Sequence, residues 1–491
     1  MFKVKDMIKR KKSIMFVPGN SFVTRNYLST PFFDELLKLK ESYNLDVYFA
    51  GIESNPVSRD IFDKVSSFLS NHDISLIPLV PERGFFKERF FWKIRQDFLH
   101  KSSVYRFNDI NSFITHKRYR DITSNLKNLN HDYLWNTDVW PSYLGFPFPK
   151  SKKILNIFIK MMTMKLISGQ NSIKKVFDKI SPDIVFIGDS QTPISFTYSI
   201  YGLMHKSYVI GNVRTWDHLT KNGPVIPHLS EYWVWNNTMK DEMVKFHNVE
   251  SDLINVVGSP QFDNYFNIKN LNSDSILESH GIKSDVNIIL FGSNRFHRGI
   301  GEPSIAKHIA EKIKSSFYSK SNFQMVIRSH PMDQDFEKRF QSLKNYPFVK
   351  LLKTPNIDNF NPIQYKEDGY LMASLLEKSK MLICGQSTLA IDASCTNTPI
   401  INLAFEGQED VPDLLSVSNR YFVNHYQDLL KTDGTKLVSN FQELDNQISN
   451  YIDNPNQYSE GRKKIKDQFA GDNKDLSSVR IFNRLKEILE N

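Results

Sequence analysis

At 491 residues the chain exceeds the roughly 250–300 residues that a single hydrophobic core organises, so two domains are expected. A 40% hydrophobic and 13% aromatic content supplies both cores, and low-complexity tracts are not evident, which excludes a largely disordered chain. The formal net charge of +9 is scattered along the sequence without a nucleic-acid motif, so nucleic acid is not an expected partner.

The chain opens on a basic stretch, Met1–Lys12, and the apolar run after it, Ile14–Pro18, is too short for a secretory h-region. No apolar segment approaches the ~18 residues of a spanning helix, so a cytoplasmic protein, peripheral on the inner face of the membrane at most, is expected. The only cysteines, Cys384 and Cys395, lack the spacing of a zinc site and read as free thiols in a reducing compartment.

Ser13–Val17, Leu45–Ala50, Ile74–Val80 and Ile184–Ile187 read as strands, with helices over Phe32–Tyr43 and Val57–Ser70. Such alternation predicts a parallel sheet wrapped by helices. Phe85–Tyr143 is aromatic, basic and irregular, and reads as helical excursions forming an acceptor-side surface. Over Lys150–Lys175, lysines and apolar residues alternate at helical intervals. The pattern fits an amphipathic helix on an anionic membrane or a domain helix with solvated lysines.

Ile184–Ile187 runs into Gly188-Asp-Ser-Gln-Thr-Pro193. A carboxylate at a strand's C-terminal end, Asp189, is a candidate general base and equally a helix N-cap. A strand near Val209 then feeds a loop in which Arg214, Asp217, His218 and Lys221 surround Trp216 before Gly223-Pro224 ends it. Loops on a rigid scaffold are where catalytic groups concentrate, so Asp217 and His218 join Asp189 as candidate proton acceptors. Strands at Tyr232–Trp235 and Ile254–Val257 and a helix over Met239–His247 complete a first domain, 1–265. The polar stretch 266–284 reads as a linker, and 285–491 as the second domain.

Three strand ends in the second domain carry the chemistry. Val286–Leu290 leads into Phe291-Gly-Ser-Asn-Arg-Phe-His-Arg-Gly299, offering Ser293 and Arg295. A second strand ends at Ile327, followed by Arg328, Ser329 and His330, and Pro331 forces the chain out. A third, Met381-Leu-Ile-Cys384, breaks at Gly385-Gln-Ser-Thr388 into a helical pattern, so free backbone N–H groups and a helix dipole are expected to face a phosphate there. Asp392 follows Thr388 by one helical turn, within reach of a sugar hydroxyl. Ordinary strand–turn–helix units share this pattern; three of them presenting donors together make half of a nucleotide-binding crevice. Helical patterns follow at Asn440–Tyr451, Tyr458–Phe469 and Leu476–Leu489, the last able to cross back to the first domain.

Two α/β domains with ligand chemistry in the second describe the GT-B architecture, two Rossmann-like domains facing a cleft. The series Thr215-Trp-Asp-His218, Val257-Gly-Ser-Pro-Gln-Phe-Asp263, Arg328-Ser-His-Pro331 and Gln386-Ser-Thr388 with Pro399-Ile400 resembles bacterial surface-polysaccharide transferases. That clan holds the CDP-glycerol glycerophosphotransferases, the His-Pro-motif Kdo and sialic acid transferases, and the UDP-N-acetylglucosamine 2-epimerases. The resemblance covers about 184–403. It implies a glycosyltransferase that moves a sugar from a CMP-, CDP- or UDP-linked donor to a growing, lipid-linked capsule or lipopolysaccharide glycan. A CDP-polyol phosphotransferase of teichoic-acid type and a non-catalytic scaffold are the alternatives. By position, His330, Ser387 and Thr388 would bind donor phosphate, with Ser293, Arg295, Arg328, Gly385 and Gln386 around them. Asp392 stands where relatives often carry a longer, ribose-binding Glu. In the glycerophosphotransferases the Trp is followed by His-Gly-Thr; here Asp217 follows and His218 comes one place later. No Asp-x-Asp motif stands in the donor half, so neither metal nor cofactor is expected.

Overall fold

The computed structural model describes residues 11–53, 59–79, 171–221, 225–318, 322–411, 416–422, 424–471 and 475–491. Most of Met1–Lys12, all of Phe85–Tyr143, nearly all of Lys150–Lys175, the start of the helix expected from Val57, and Gly223-Pro224 lie outside these residues, as do the side chains of Lys221 and His297.

The apolar runs form strands because each is covered on both faces. The first sheet holds β1 (Ser13–Val17), β2 (Asp46–Glu53), β3 (Ser75–Leu79), β4 (Ile184–Ile187), β5 (Tyr208–Asn212), β6 (Glu231–Val234) and β7 (Ile254–Val256) in the order β3-β2-β1-β4-β5-β6-β7. The second holds β8 (Asn287–Gly292), β9 (Phe323–Arg328), β10 (Val349–Leu352), β11 (Ser379–Cys384), β12 (Ile400–Leu403) and β13 (Lys436–Val438) in the order β10-β9-β8-β11-β12-β13. Every pairing is parallel. Ile288 to Phe291 and Met381 to Cys384 are fully buried. Strands buried on both faces read as unbroken apolar runs, not alternating ones.

Both sheets are wound the same way. From its first strand each steps outward twice, then the chain returns past that strand and steps the other way. The reversal leaves a crevice between β1 and β4 in one sheet and between β8 and β11 in the other, the place where doubly wound sheets bind ligands.

Helix starts follow local chemistry. Asn20, Asn236 and Asn440 accept the N–H of Val23, Met239 and Glu443 at the heads of Ser21–Leu28, Asn237–His247 and Phe441–Asp453. Proline opens Pro31–Tyr43, Pro193–Met204 and Pro362–Lys378, where its missing N–H costs nothing. The stretch expected as a linker carries short helices at Asp263–Phe266 and Ser273–Ser279, and Leu277 and Ile282 within it are buried.

The last helix, Ser477–Glu490, crosses back, one of the courses that its sequence left open. Its first N–H groups, Ser477 and Ser478, each donate to the Asp263 carboxylate at 2.8 Å. Ile481, Leu485 and Leu489 are buried in one cluster with Leu36, Leu39 and Ile184. Arg484 reaches the buried Glu231 carboxylate, Nη2 to Oε2 at 2.5 Å. Gly258 lets this helix approach: its φ is +82°, and a Cβ there would lie 2.2 Å from Ser477 Oγ. Among the described residues no helix is long and apolar enough to cross a membrane.

Candidate active site between the two sheets

The C-terminal strand ends of both sheets border one cavity of about 390 Å³. The second sheet contributes Ser293 after β8, Arg328 and His330 at the end of β9, Thr354 after β10, and Ser387, Thr388 and Asp392 after β11. From the first come Arg25, Asn26 and Ser29 after β1 and Arg214 after β5. Strands end where their apolar runs end, so polar side chains at those ends meet in the crevice.

Arg328 is 5% exposed, and its Nη2 donates to Asp368 Oδ1 at 2.5 Å. Among the described residues Nη1 has no hydrogen-bond partner, and neither does the Oγ of Ser293, also 5% exposed. Buried donors without acceptors are costly, and two of them beside one cavity suit a ligand rich in anionic oxygen. His330 Nδ1 accepts the Met332 N–H at 3.1 Å, which leaves the neutral ring's proton on Nε2 and makes that nitrogen a donor.

In the turn after β11, Leu389 N–H donates to Ser387 Oγ at 3.3 Å. Ser387 and Thr388 line the cavity. Gly385 and Gln386 stand behind this wall. A Cβ on Gly385 would lie 2.5 Å from Asn294 Nδ2. Asn294 in turn donates to Glu302 from its backbone and its side chain, both at 2.9 Å. Burial pushes Glu302 up to about 7, with Arg339 beside it pulling the other way. Arg295 also leaves the wall; its guanidinium rests on the Met332 sulfur.

None of the three expected proton acceptors lines the cavity. Asp189 is 1% exposed, accepts from Asn20 Nδ2 at 3.0 Å and Gln191 N–H at 3.1 Å, and forms an ion pair with Arg214 Nη1 at 3.3 Å. Burial raises its proton affinity, and Arg214 offsets part of that rise. His218 is buried, its Nε2 2.8 Å from Arg214 Nη2. Asp217 stands 4.0 Å from His425 Nε2. Between them Trp216 spans the crevice. Its indole N–H donates to Thr388 Oγ1 at 3.4 Å, and its ring meets His425 and Phe469 edge-on, each at 5.2 Å.

Like Tyr265, Asp392 lines the cavity. Burial pushes it up to about 7, against the opposing pull of Arg25 and Tyr265. Arg25 had no sequence assignment. Its guanidinium lies 5.6 Å from the Phe22 ring centre and 5.9 Å from that of Tyr365, and donates to Asn26 Oδ1 at 2.9 Å. A signal for it was present: Pro18-Gly-Asn20 after β1 repeats the strand–turn–helix pattern seen at 385–388. Asp368, inside Pro362–Lys378, has no such mark. Among the described residues no three His, Cys, Asp or Glu side chains are grouped as metal ligands.

The fold and this geometry have relatives. A Listeria monocytogenes protein assigned as a UDP-N-acetylglucosamine 2-epimerase superposes with a TM-score of 0.52 at 13% identity, covering 98% of this chain and 97% of that one. S. aureus MnaA with UDP gives 0.50 at 14% identity, covering 98% and 97%. At such identities they bear on fold alone, and the fold is GT-B. No protein of curated function matches significantly. The family model for CDP-glycerol:poly(glycerophosphate) glycerophosphotransferase matches residues 212–487, from the end of β5 into the last helix. With more than half of its length inside that match, the chain belongs to the CDP-glycerol glycerophosphotransferase family of transferases.

Proposed function

We propose that the protein transfers a polyol phosphate from a CDP-linked donor to a hydroxyl at the end of a growing, lipid-linked surface polymer. The observation that carries this is the pair of buried, partnerless donors, Arg328 Nη1 and Ser293 Oγ, beside His330 in the crevice of a chain from this family. A donor diphosphate would satisfy both. The acceptor hydroxyl passes its proton to a base of the crevice, for which Asp392 is in place. The hydroxyl oxygen attacks the phosphorus bearing the polyol, the bond from that phosphorus to the CMP oxygen breaks, and its electron pair leaves with CMP. Arg328, His330 Nε2 and the hydroxyls of Ser387 and Thr388 take up the charge that develops, in place of a metal. The lipid-linked acceptor puts this chemistry at the cytoplasmic face of a membrane.

A second reading, sugar transfer from a nucleotide-activated donor, is favoured by Asp217 standing directly after Trp216 where polyol phosphate transferases carry His. The same cradle would then hold the leaving nucleotide while the acceptor attacks the anomeric carbon.

A donor panel separates the readings. CMP released from CDP-glycerol or CDP-ribitol supports the first. Nucleotide released from UDP- or CMP-linked sugars alone supports the second. A folded protein that releases nucleotide from none of them, with acceptor polymer present, sinks both. With the active donor, His330→Ala is expected to lower turnover by about 10²–10³-fold.

A further inference from the structure

The loop after β5 is gripped from both sides of the crevice. Trp216 fastens it to the second sheet through Thr388, His425 and Phe469. Two residues earlier, Arg214 is fastened to the first sheet through Asp189 and His218, at 3.3 and 2.8 Å. Only Arg214 of these three lines the cavity. The acceptor capacity of the other two is directed at N–H donors. Asp189 Oδ2 receives Asn20 and pairs with the Arg214 charge, and Oδ1 receives the Gln191 amide. His218 Nε2 can accept from a guanidinium only as the neutral ring, so taking a proton there would release Arg214.

We infer that Arg214 is a catalytic cation delivered by the first sheet to the departing phosphate, and that Asp189 and His218 are positioning residues that hold its guanidinium. The inference rests on the reading of the crevice as a diphosphate site. Arg328 and His330 approach the donor from the second sheet, and Arg214 completes the cradle from the opposite side. A planar fork can face a carboxylate, an imidazole and a phosphate together, which a lysine ammonium does less well.

The test measures inorganic pyrophosphate binding by calorimetry and, separately, CMP release from CDP-glycerol as a function of pH. Arg214→Ala is expected to weaken pyrophosphate about tenfold or more and to lower turnover by about 10²-fold or more. Arg214→Lys, which leaves both anchors intact and tests the role should Asp189→Asn fail to fold, is expected to lose several-fold of each. Asp189→Asn and His218→Gln should each lower pyrophosphate affinity, add nothing when combined with Arg214→Ala, and leave the acid limb of the pH profile in place. Wild-type pyrophosphate affinity in Arg214→Ala or Arg214→Lys overturns the assignment. So does a wild-type protein that binds no pyrophosphate. An anchor variant that loses turnover or its acid limb at unchanged pyrophosphate affinity would identify that residue as the proton acceptor instead. If the wild type leaves CDP-glycerol intact while the pyrophosphate results hold, the donor reading falls and the role of Arg214 stands.

Discussion

Asp392 combines two properties that one substitution series can separate. It lines the cavity, and burial raises its pKa from 3.8 to about 7. If it holds the ribose, Asp392→Asn should raise KM several-fold with kcat little changed; if it accepts the hydroxyl proton, kcat should fall by about 10²-fold or more. Its titration also sets a stability trend. Between pH about 4 and 7 the folded chain keeps this proton and the unfolded chain releases it. The contribution is therefore complete below about pH 4 and is lost as pH rises through 7. Melting temperatures of Asp392→Asn across that window should fall less than those of the wild type; parallel curves would contradict the assignment. Side chains of this kind were legible when they ended an apolar strand, as Arg328, His330, Ser387 and Thr388 do. Asp368 lies inside a helix, where no change of pattern marks a residue that faces a ligand, whereas Arg25 follows a strand–turn–helix pattern after β1. Asp189, Asp217 and His218 were legible as chemistry, but a loop sequence does not say which way its side chains turn.

Among the elements, the loop bearing Trp216 and the turn at Gly385 join the two halves of the crevice. Trp216→Phe keeps the ring and loses a long hydrogen bond, so a stability loss of only about 0.5–1 kcal/mol is expected by denaturant titration. Trp216→Ala removes a buried indole and should cost about 3–5 kcal/mol. Gly385→Ala drives a methyl group toward Asn294 Nδ2, and the shift should weaken donor binding while the circular dichroism spectrum is retained. Most strands were plain in the sequence because parallel strands are apolar throughout. The exceptions are β10 and β13, edge strands of four and three residues that each carry a lysine and are only partly buried. The connection 266–284 reads as polar because its buried residues, Leu277 and Ile282 among them, are few and widely spaced.

Over the whole molecule, the repeated winding order explains why two domains could be read from length and alternation alone. The last helix itself was legible from its helical pattern. The partner that receives it, Glu231 at the head of β6, was not, because a carboxylate in a short strand looks like a surface residue. Arg484→Ala would leave Glu231 buried with its charge uncompensated, and a loss of about 2–3 kcal/mol is expected by calorimetry. An unchanged melting temperature would show that the neighbouring donors, Trp233 Nε1 and Asn255 Nδ2, suffice. Because the final helix is pinned to the opening half, the polypeptide passes between the lobes twice, once on the way out and once on the way home. Any gaping of the jaws must then swivel about a pair of neighbouring straps, as a lid does on two hinges, and sideways slippage of one lobe over the other is restrained.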